Sequence, residues 1–174
     1  MKEALRYGFI LAMICVVASG LLGGMNSLTR PKIIAQVQGE EQAALREVMP
    51  EGQHFEPIKK GKDIIYYKVN NKDGKFIGVA FEASGKGYSS VIDTLVGMTQ
   101  DGSIAAIKIL NQNETPGLGA RIAESSFTGR FTNKNIQGLT DIQAITGATI
   151  SSKAVINLVQ EKAKEIQALI KNEK

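Results

Sequence analysis

The chain has 174 residues, 43% of them hydrophobic and 22% charged, enough for one real core and incompatible with a disordered chain. Half of its net charge of +4 comes from Lys2, Arg6 and Arg30 against Glu3 at the N-terminus. Basic and acidic residues alternate over the rest, so no basic stripe for nucleic acid exists. Cys15 is the only cysteine, which excludes a disulfide frame, an iron–sulfur cluster or a Cys-based zinc site beyond it.

Between Arg6 and Arg30 runs an uncharged apolar segment, residues 7–29, long enough to cross a hydrocarbon core, which takes about 20 helical residues. The sequence predicts one retained span, with the cytoplasmic start and transmembrane helix occupying 1–29. A cleaved signal peptide is the competing reading, because Val17-Ala18-Ser19 resembles a cleavage site. Ile14 before Cys15 does not suit a lipoprotein, so Cys15 reads as a small apolar residue of the span. Lys2, Arg6 and the terminal amine favour a cytoplasmic start, although Arg30 and Lys32 weaken the asymmetry. The domain that follows is therefore expected on the extracytoplasmic side of the plasma (inner) membrane.

Pro31 suits the first turn of a helix, and Ile33, Ile34, Val37, Ala44, Leu45 and Val48 recur at helical spacing, predicting a connecting helix over 30–50. The folded domain is assigned to 51–174. Its first residues read as a loop holding His54, the only histidine, as a solvent-exposed side chain. The period then changes to two. Ile64 to Val69 and Phe76 to Phe81, joined through Asn70-Asn71-Lys72-Asp73-Gly74, predict a hairpin. Val91 to Met98 and Ile104 to Leu110, joined through Gln100-Asp101-Gly102-Ser103, predict a second. A polar Pro/Gly loop occupies 111–119, where Pro116 restricts Thr115, and Gly117 and Gly119 allow close approach. A short helix is predicted from near Leu118 to before Gly129. A long one starts at Ser151 or Ser152, with Val155, Leu158, Val159, Ile166, Leu169 and Ile170 on one face. The fold class is α+β: a single N-terminal transmembrane helix, then a curved antiparallel sheet flanked by helices.

Thr146-Gly147-Ala148-Thr149 stands directly before that long helix. Its glycine and alanine let the backbone approach a ligand, and Ser151 and Ser152 are candidate caps. The helix start offers unpaired N–H groups and a positive dipole end to an anion, with Lys153 as a candidate added counter-charge. The Thr149 hydroxyl is thus a candidate anchor for a phosphorylated cofactor. Taken alone, the four residues read as a helix-capping turn.

Glu114-Thr115-Pro116-Gly117-Leu118-Gly119, followed by Thr146-Gly147-Ala148-Thr149-Ile150-Ser151-Ser152 behind one span, resembles the covalent-FMN-binding domain family of ion-translocating electron-transport complexes. That family includes the G subunit of Rnf-type complexes and the C subunit of the sodium-translocating NADH:quinone reductase. The resemblance also covers Gly85-Lys86-Gly87-Tyr88 and Val96-Gly97-Met98. It implies that 51–174 is an FMN-binding domain and that a flavin transferase moves FMN from FAD onto the Thr149 hydroxyl as a phosphoester. Thr146, Gly147 and Ala148 would form the loop around the phosphate, and Glu114, Thr115, Gly117, Leu118 and Gly119 would line the isoalloxazine. By the same resemblance the chain is a membrane-anchored electron carrier in a complex moving electrons between reduced ferredoxin and NAD while translocating Na⁺ or H⁺. It would bind neither substrate, relaying electrons between an iron–sulfur centre of the membrane subunits and a second covalent FMN. Members of the family usually carry an acidic residue three places before the motif begins. That position is Gln143 here, with Asp141 two places earlier. Tyr88 is read as core, with a place beside the flavin as the other reading. A flavin-dependent membrane sensor and an anchored interaction protein without cofactor are the alternative functions. No Ser–His–Asp arrangement or paired-carboxylate site is present, as suits a chain whose cofactor carries the chemistry.

Overall fold

The computed structural model describes the backbone of residues 2–61 and 63–172, and side chains within 6–30, 39–61 and 63–171. The chain divides into two compact units, Met1–Gln42 and Ala43–Lys174. The first is entirely helical over its described residues. Helix α1 is assigned from Lys2 to Val48, so Pro31 lies inside a helix and not on the first turn of a separate one. Within it, Arg6–Arg30 has a mean hydropathy of 2.2 and no buried residues, which makes it long and apolar enough to cross a membrane. Hydroxyls in this stretch bond back to their own helix, Ser27 to the Gly24 carbonyl and Thr29 to that of Met25, each at 2.9 Å. The side chains of Ile33, Ile34 and Val37, and of Lys2 and Lys32, lie outside the described residues.

The second unit is built on a six-stranded antiparallel sheet whose spatial order follows the chain: β1 (His54–Lys60), β2 (Asp63–Asn70), β3 (Phe76–Lys86), β4 (Val91–Thr99), β5 (Ser103–Asn111) and β6 (Lys134–Asn135). Both expected hairpins are present. The β2–β3 turn closes because the Asn71 side-chain oxygen accepts the N–H groups of Asp73 and Lys75 at 2.9 Å and Gly74 takes a φ of +75°. Strand β1 was not expected: His54 is exposed as predicted but begins a strand and is not in a loop, its neighbour Phe55 pairing with Val69. The charges and proline of β1 hide its alternation, and these are residues that suit an edge strand.

The two sheet faces are covered differently. Val79, Phe81, Val96, Met98 and Ile104 pack on one face beneath α3 (Thr149–Asn172), which contributes Val155, Val159, Ala163 and Ile166. Phe127 and Phe131, edge to face at 5.5 Å, and Leu139 complete that core. The long-helix face is therefore close to the predicted one, except that Leu169 is exposed and Ile156 and Ala163 are buried. On the other face Val69, Ala80 and Leu95 are covered by Ala44, Leu45, Val48 and Met49, from the end of α1 and the residue after it. The predicted short helix is broken: a 3-10 segment (Gly119–Ala123), extended Glu124, a single α turn α2 (Ser125–Thr128) and a second 3-10 segment (Gly129–Phe131).

Gly97 sets how closely the 44–49 segment approaches. A Cβ there would stand 2.3 Å from the Val48 carbonyl oxygen and 2.9 Å from Met49 Cγ, so backbone would have to move. Gly97→Ala is expected to cost about 1–3 kcal/mol, whereas Gly129→Ala, with open space around it, should stay within about 0.5 kcal/mol of the native chain. Urea unfolding of the detergent-solubilised chain measures both.

Candidate functional site

Two loops that are far apart in sequence form one cleft of about 370 Å³ at the N-terminal end of α3. From the first loop, after β5, Glu114, Thr115, Leu118 and Gly119 line it. From the second come Gly147, Ala148 and Thr149, with Ile150 and Ser151 on the helix. Gly117 and Thr146 are exposed in the same loops but do not reach the lining. Lys153 is exposed and is likewise not part of the wall.

Each loop has a local reason for its shape. Gly147 takes a φ of +83°, where a side chain would be strained, and a Cβ on it would meet Leu118 Cδ2 of the other loop at 3.3 Å. The Ala148 N–H donates to the Ile145 carbonyl at 2.9 Å, and buried Ile145 and Ala148 anchor the turn. In the first loop Gly117 has a φ of +74°, and the Leu118 and Ala120 N–H groups both donate to the Thr115 carbonyl at 3.1 Å.

Helix α3 begins at Thr149, two or three residues before the expected start at Ser151 or Ser152, so these serines sit in its first turn and are not caps. Ser152 Oγ instead accepts the Ile145 N–H at 3.1 Å, closing the loop onto the helix. Thr149 is exposed at the first helical position. First-turn amides have no helical acceptor and stand at the positive end of the helix dipole, so a phosphate carried on that hydroxyl would meet donors without needing a cation.

The cleft wall is held by Glu114, which is 5% exposed. Its carboxylate accepts the N–H groups of Ser89 and Ser90 at 2.9 Å, that of Tyr88 at 3.2 Å, and the Ser151 hydroxyl at 2.5 Å. Burial pushes the Glu114 carboxyl up, but the hydrogen bonds from Ser151, Ser90, Ser89 and Tyr88 outweigh it and hold the pKa below the ordinary 4.5. Gly119 is flush against this pair: a Cβ there would lie 2.9 Å from both Glu114 Oε2 and Ser151 Oγ.

Tyr88 is 63% exposed, follows the end of β3 and lines the cleft, so it is not a core aromatic. Its place depends on a carboxylate 26 residues away, a pairing that strand patterning cannot show. Gln143 is exposed, and its carbonyl accepts from Arg130 Nη1 at 2.7 Å, while Arg130 Nε donates to the Ser126 carbonyl at 2.9 Å. Arg130 thus ties the segment before Thr146 to α2, a role that no motif announced. Asp141 ends a 3-10 segment (Gly138–Asp141) and is exposed.

A glycine-walled cleft with an apolar lining from Leu118, Ile150 and Ala148, an exposed tyrosine and a helix start at one end has the chemistry of a site for a flat phosphorylated cofactor. Residues 87–164 match the family model described as FMN-binding domain, and residues 1–48 match the RnfG N-terminal region. The chain is 33% identical over 166 residues to the G subunit of the proton-translocating ferredoxin:NAD⁺ oxidoreductase complex of Clostridium ljungdahlii, covering 90% of this chain and 88% of that one. It is 29% identical over 196 residues to the G subunit of the Na⁺-translocating ferredoxin:NAD⁺ oxidoreductase complex of Acetobacterium woodii, covering 98% and 95%. The chain belongs to the family of G subunits of ion-translocating ferredoxin:NAD⁺ oxidoreductase complexes. Among solved structures, NqrC of Shewanella oneidensis aligns with a TM-score of 0.49 and 19% identity over 70% of this chain and 74% of that one.

Because its folded pKa is lowered, Glu114 contributes stability that is full above pH 4.5 and is lost as pH falls through the folded value. Glu114→Gln should therefore cost about 2 kcal/mol at pH 7, and the gap from the native chain should narrow in acid. Urea unfolding at pH 7 and pH 3 measures the change; a gap of equal size at both would contradict it.

Proposed function

We propose that this chain carries FMN joined through its phosphate to the Thr149 hydroxyl and relays electrons within an Rnf-type complex. The observation that carries the reading is the placement of Thr149: an exposed threonine at the first residue of α3, at the wall of the glycine-lined cleft inside the segment that matches the FMN-binding domain. When bound, the flavin supplies the redox chemistry through its ring. The chain's own work is then positional. Thr146, Gly147 and Ala148 shape the loop in which the phosphate sits, and the first-turn amides of α3 meet its charge. Thr115, Leu118 and Gly119 offer the ring a wall without side-chain bulk at Gly119, with Gly117 shaping the loop behind it and Glu114 holding the wall in place.

The apolar stretch between Arg6 and Arg30 serves as a single retained membrane anchor, in the segment 1–29; residues 30–50 connect it to the FMN-binding domain, 51–174, on the extracytoplasmic face, with Ala44, Leu45, Val48 and Met49 packed on that domain's sheet. A flavin transferase attaches the FMN, and the other subunits of the complex supply and receive the electrons; the chain itself binds neither ferredoxin nor NAD. Tethering is well matched to that location. A dissociated flavin would be lost outside the cytoplasm, while a covalent link maintains a high local concentration even over weak ring contacts.

Co-expression with a flavin transferase, followed by intact-mass measurement and in-gel fluorescence after denaturation, tests the attachment. The native chain and Thr149→Ser should carry an FMN adduct and Thr149→Ala none. An unmodified native chain, produced beside a transferase that labels a control substrate, would sink the reading.

A further inference from the structure

We propose that Glu114 is a positioning residue for the cofactor cleft: its carboxylate pins the Tyr88–Ser90 turn to the first turn of α3, and it has no acceptor capacity left for the flavin. This rests on the FMN reading for its functional meaning, but not for its geometry.

A carboxylate offers about four lone-pair sites. Glu114 Oε1 accepts from the Ser89 and Ser90 N–H groups at 2.9 Å and from Ser90 Oγ at 3.3 Å, and Oε2 accepts from the Tyr88 N–H at 3.2 Å and from Ser151 Oγ at 2.5 Å. The Ser90 hydroxyl has one proton and a closer acceptor in the Val91 carbonyl at 3.1 Å, but the other four donors already fill the carboxylate, so a ring N–H in the cleft would find no free oxygen on this side chain. The surroundings are shaped to the same end. A Cβ on Gly87 would stand 2.7 Å from Oε1, and one on Gly119 would stand 2.9 Å from Oε2. The turn is closed by the Gly87 N–H donating to the Ser90 carbonyl at 2.8 Å, and Ser90 Oγ accepts the Asn113 N–H at 2.8 Å. Gln112 Oε1 holds the Glu114 N–H at 2.7 Å. Three pieces of chain, 87–90, 112–114 and the start of α3, therefore meet at one anion, and Tyr88 is held over the cleft by it.

Glu114→Gln keeps the volume and replaces one acceptor oxygen by an NH₂ that faces donors. Amide hydrogen exchange on the full chain in detergent, prepared without transferase, reads the geometry. The amides of Tyr88, Ser89 and Ser90 should exchange about ten-fold faster, beyond any acceleration of the β3–β4 core amides Val79 and Val96. Ser151→Ala, which leaves the charge in place, should loosen the same amides less. Unchanged exchange at 88–90, or acceleration equal to that of the core, would overturn the proposal, the second by making Glu114 a general stability residue. The flavin arm uses chain co-expressed with the transferase. Removing a fixed negative charge beside a ring that gains negative charge on reduction should move the flavin potential of Glu114→Gln in the positive direction; an unmoved potential would overturn the link to the cofactor. A native chain that acquires no flavin would defeat the FMN reading while leaving the exchange result to stand alone.

Discussion

An ionised carboxylate can be buried only where donors replace the water it loses, since the uncompensated cost is several kcal/mol. Glu114 meets that condition with backbone amides from one loop and a hydroxyl from a helix 37 residues further on. The consequence is geometric as much as energetic. That anion ties the polar loop after β5 to the first turn of α3, and with the close approach of Gly147 to Leu118 it sets the separation across the cleft. Charge-assisted hydrogen bonds hold that separation because they are short and strong.

The sheet and its coverings supply the frame on which the anion can act. Strand β4 is buried on both faces near its centre, Val96 and Met98 toward α3 and Leu95 toward Leu45 and Val48, so its position is determined from two sides. Helix α3 lies on one face by Val155, Val159 and Ile166, and its N-terminus is thereby delivered to the end of the sheet where β3 and β5 finish. Rigid elements thus carry the cleft to within hydrogen-bond range, and the loops need only small adjustments, which Gly117 and Gly147 make with positive φ.

What the sequence makes legible follows from range. The two hairpins announce themselves because alternation and turn chemistry act over a few residues: Asn71 and Gly74 close one turn, Gly102 with a φ of +89° the other. The motif pair 114–119 and 146–149 is equally readable, and the structure brings most of it together. Features that depend on distant partners stay hidden. Strand β1 is an edge whose proline and charges mask its period, yet pairing with β2 orders it. The helix expected after Leu118 is broken at Glu124, because Ile122, Phe127 and Phe131 must all reach the core and one regular helix does not place them so. Tyr88 reads as a strand aromatic until Glu114 is seen to hold its amide, and Ser151 and Ser152 read as caps until the helix is seen to begin at Thr149. Pro31 signals a helix start in sequence and instead lies inside α1.

These pieces bear on how such a site can exchange electrons. A cofactor sunk in a closed pocket is held by its ring contacts, but closure puts protein between it and its partners. Here Tyr88, Leu118 and Ile150 remain 63%, 49% and 58% exposed around the cleft, so the wall is too open to retain a ring by burial alone. In the proposed reading retention comes from the phosphate end, at the first-turn amides of α3 and the Thr149 hydroxyl, and the open side is left for partners. The proposed covalent link separates the two demands: the helix start holds the cofactor, and the cleft, with its width fixed by Glu114, need only orient it.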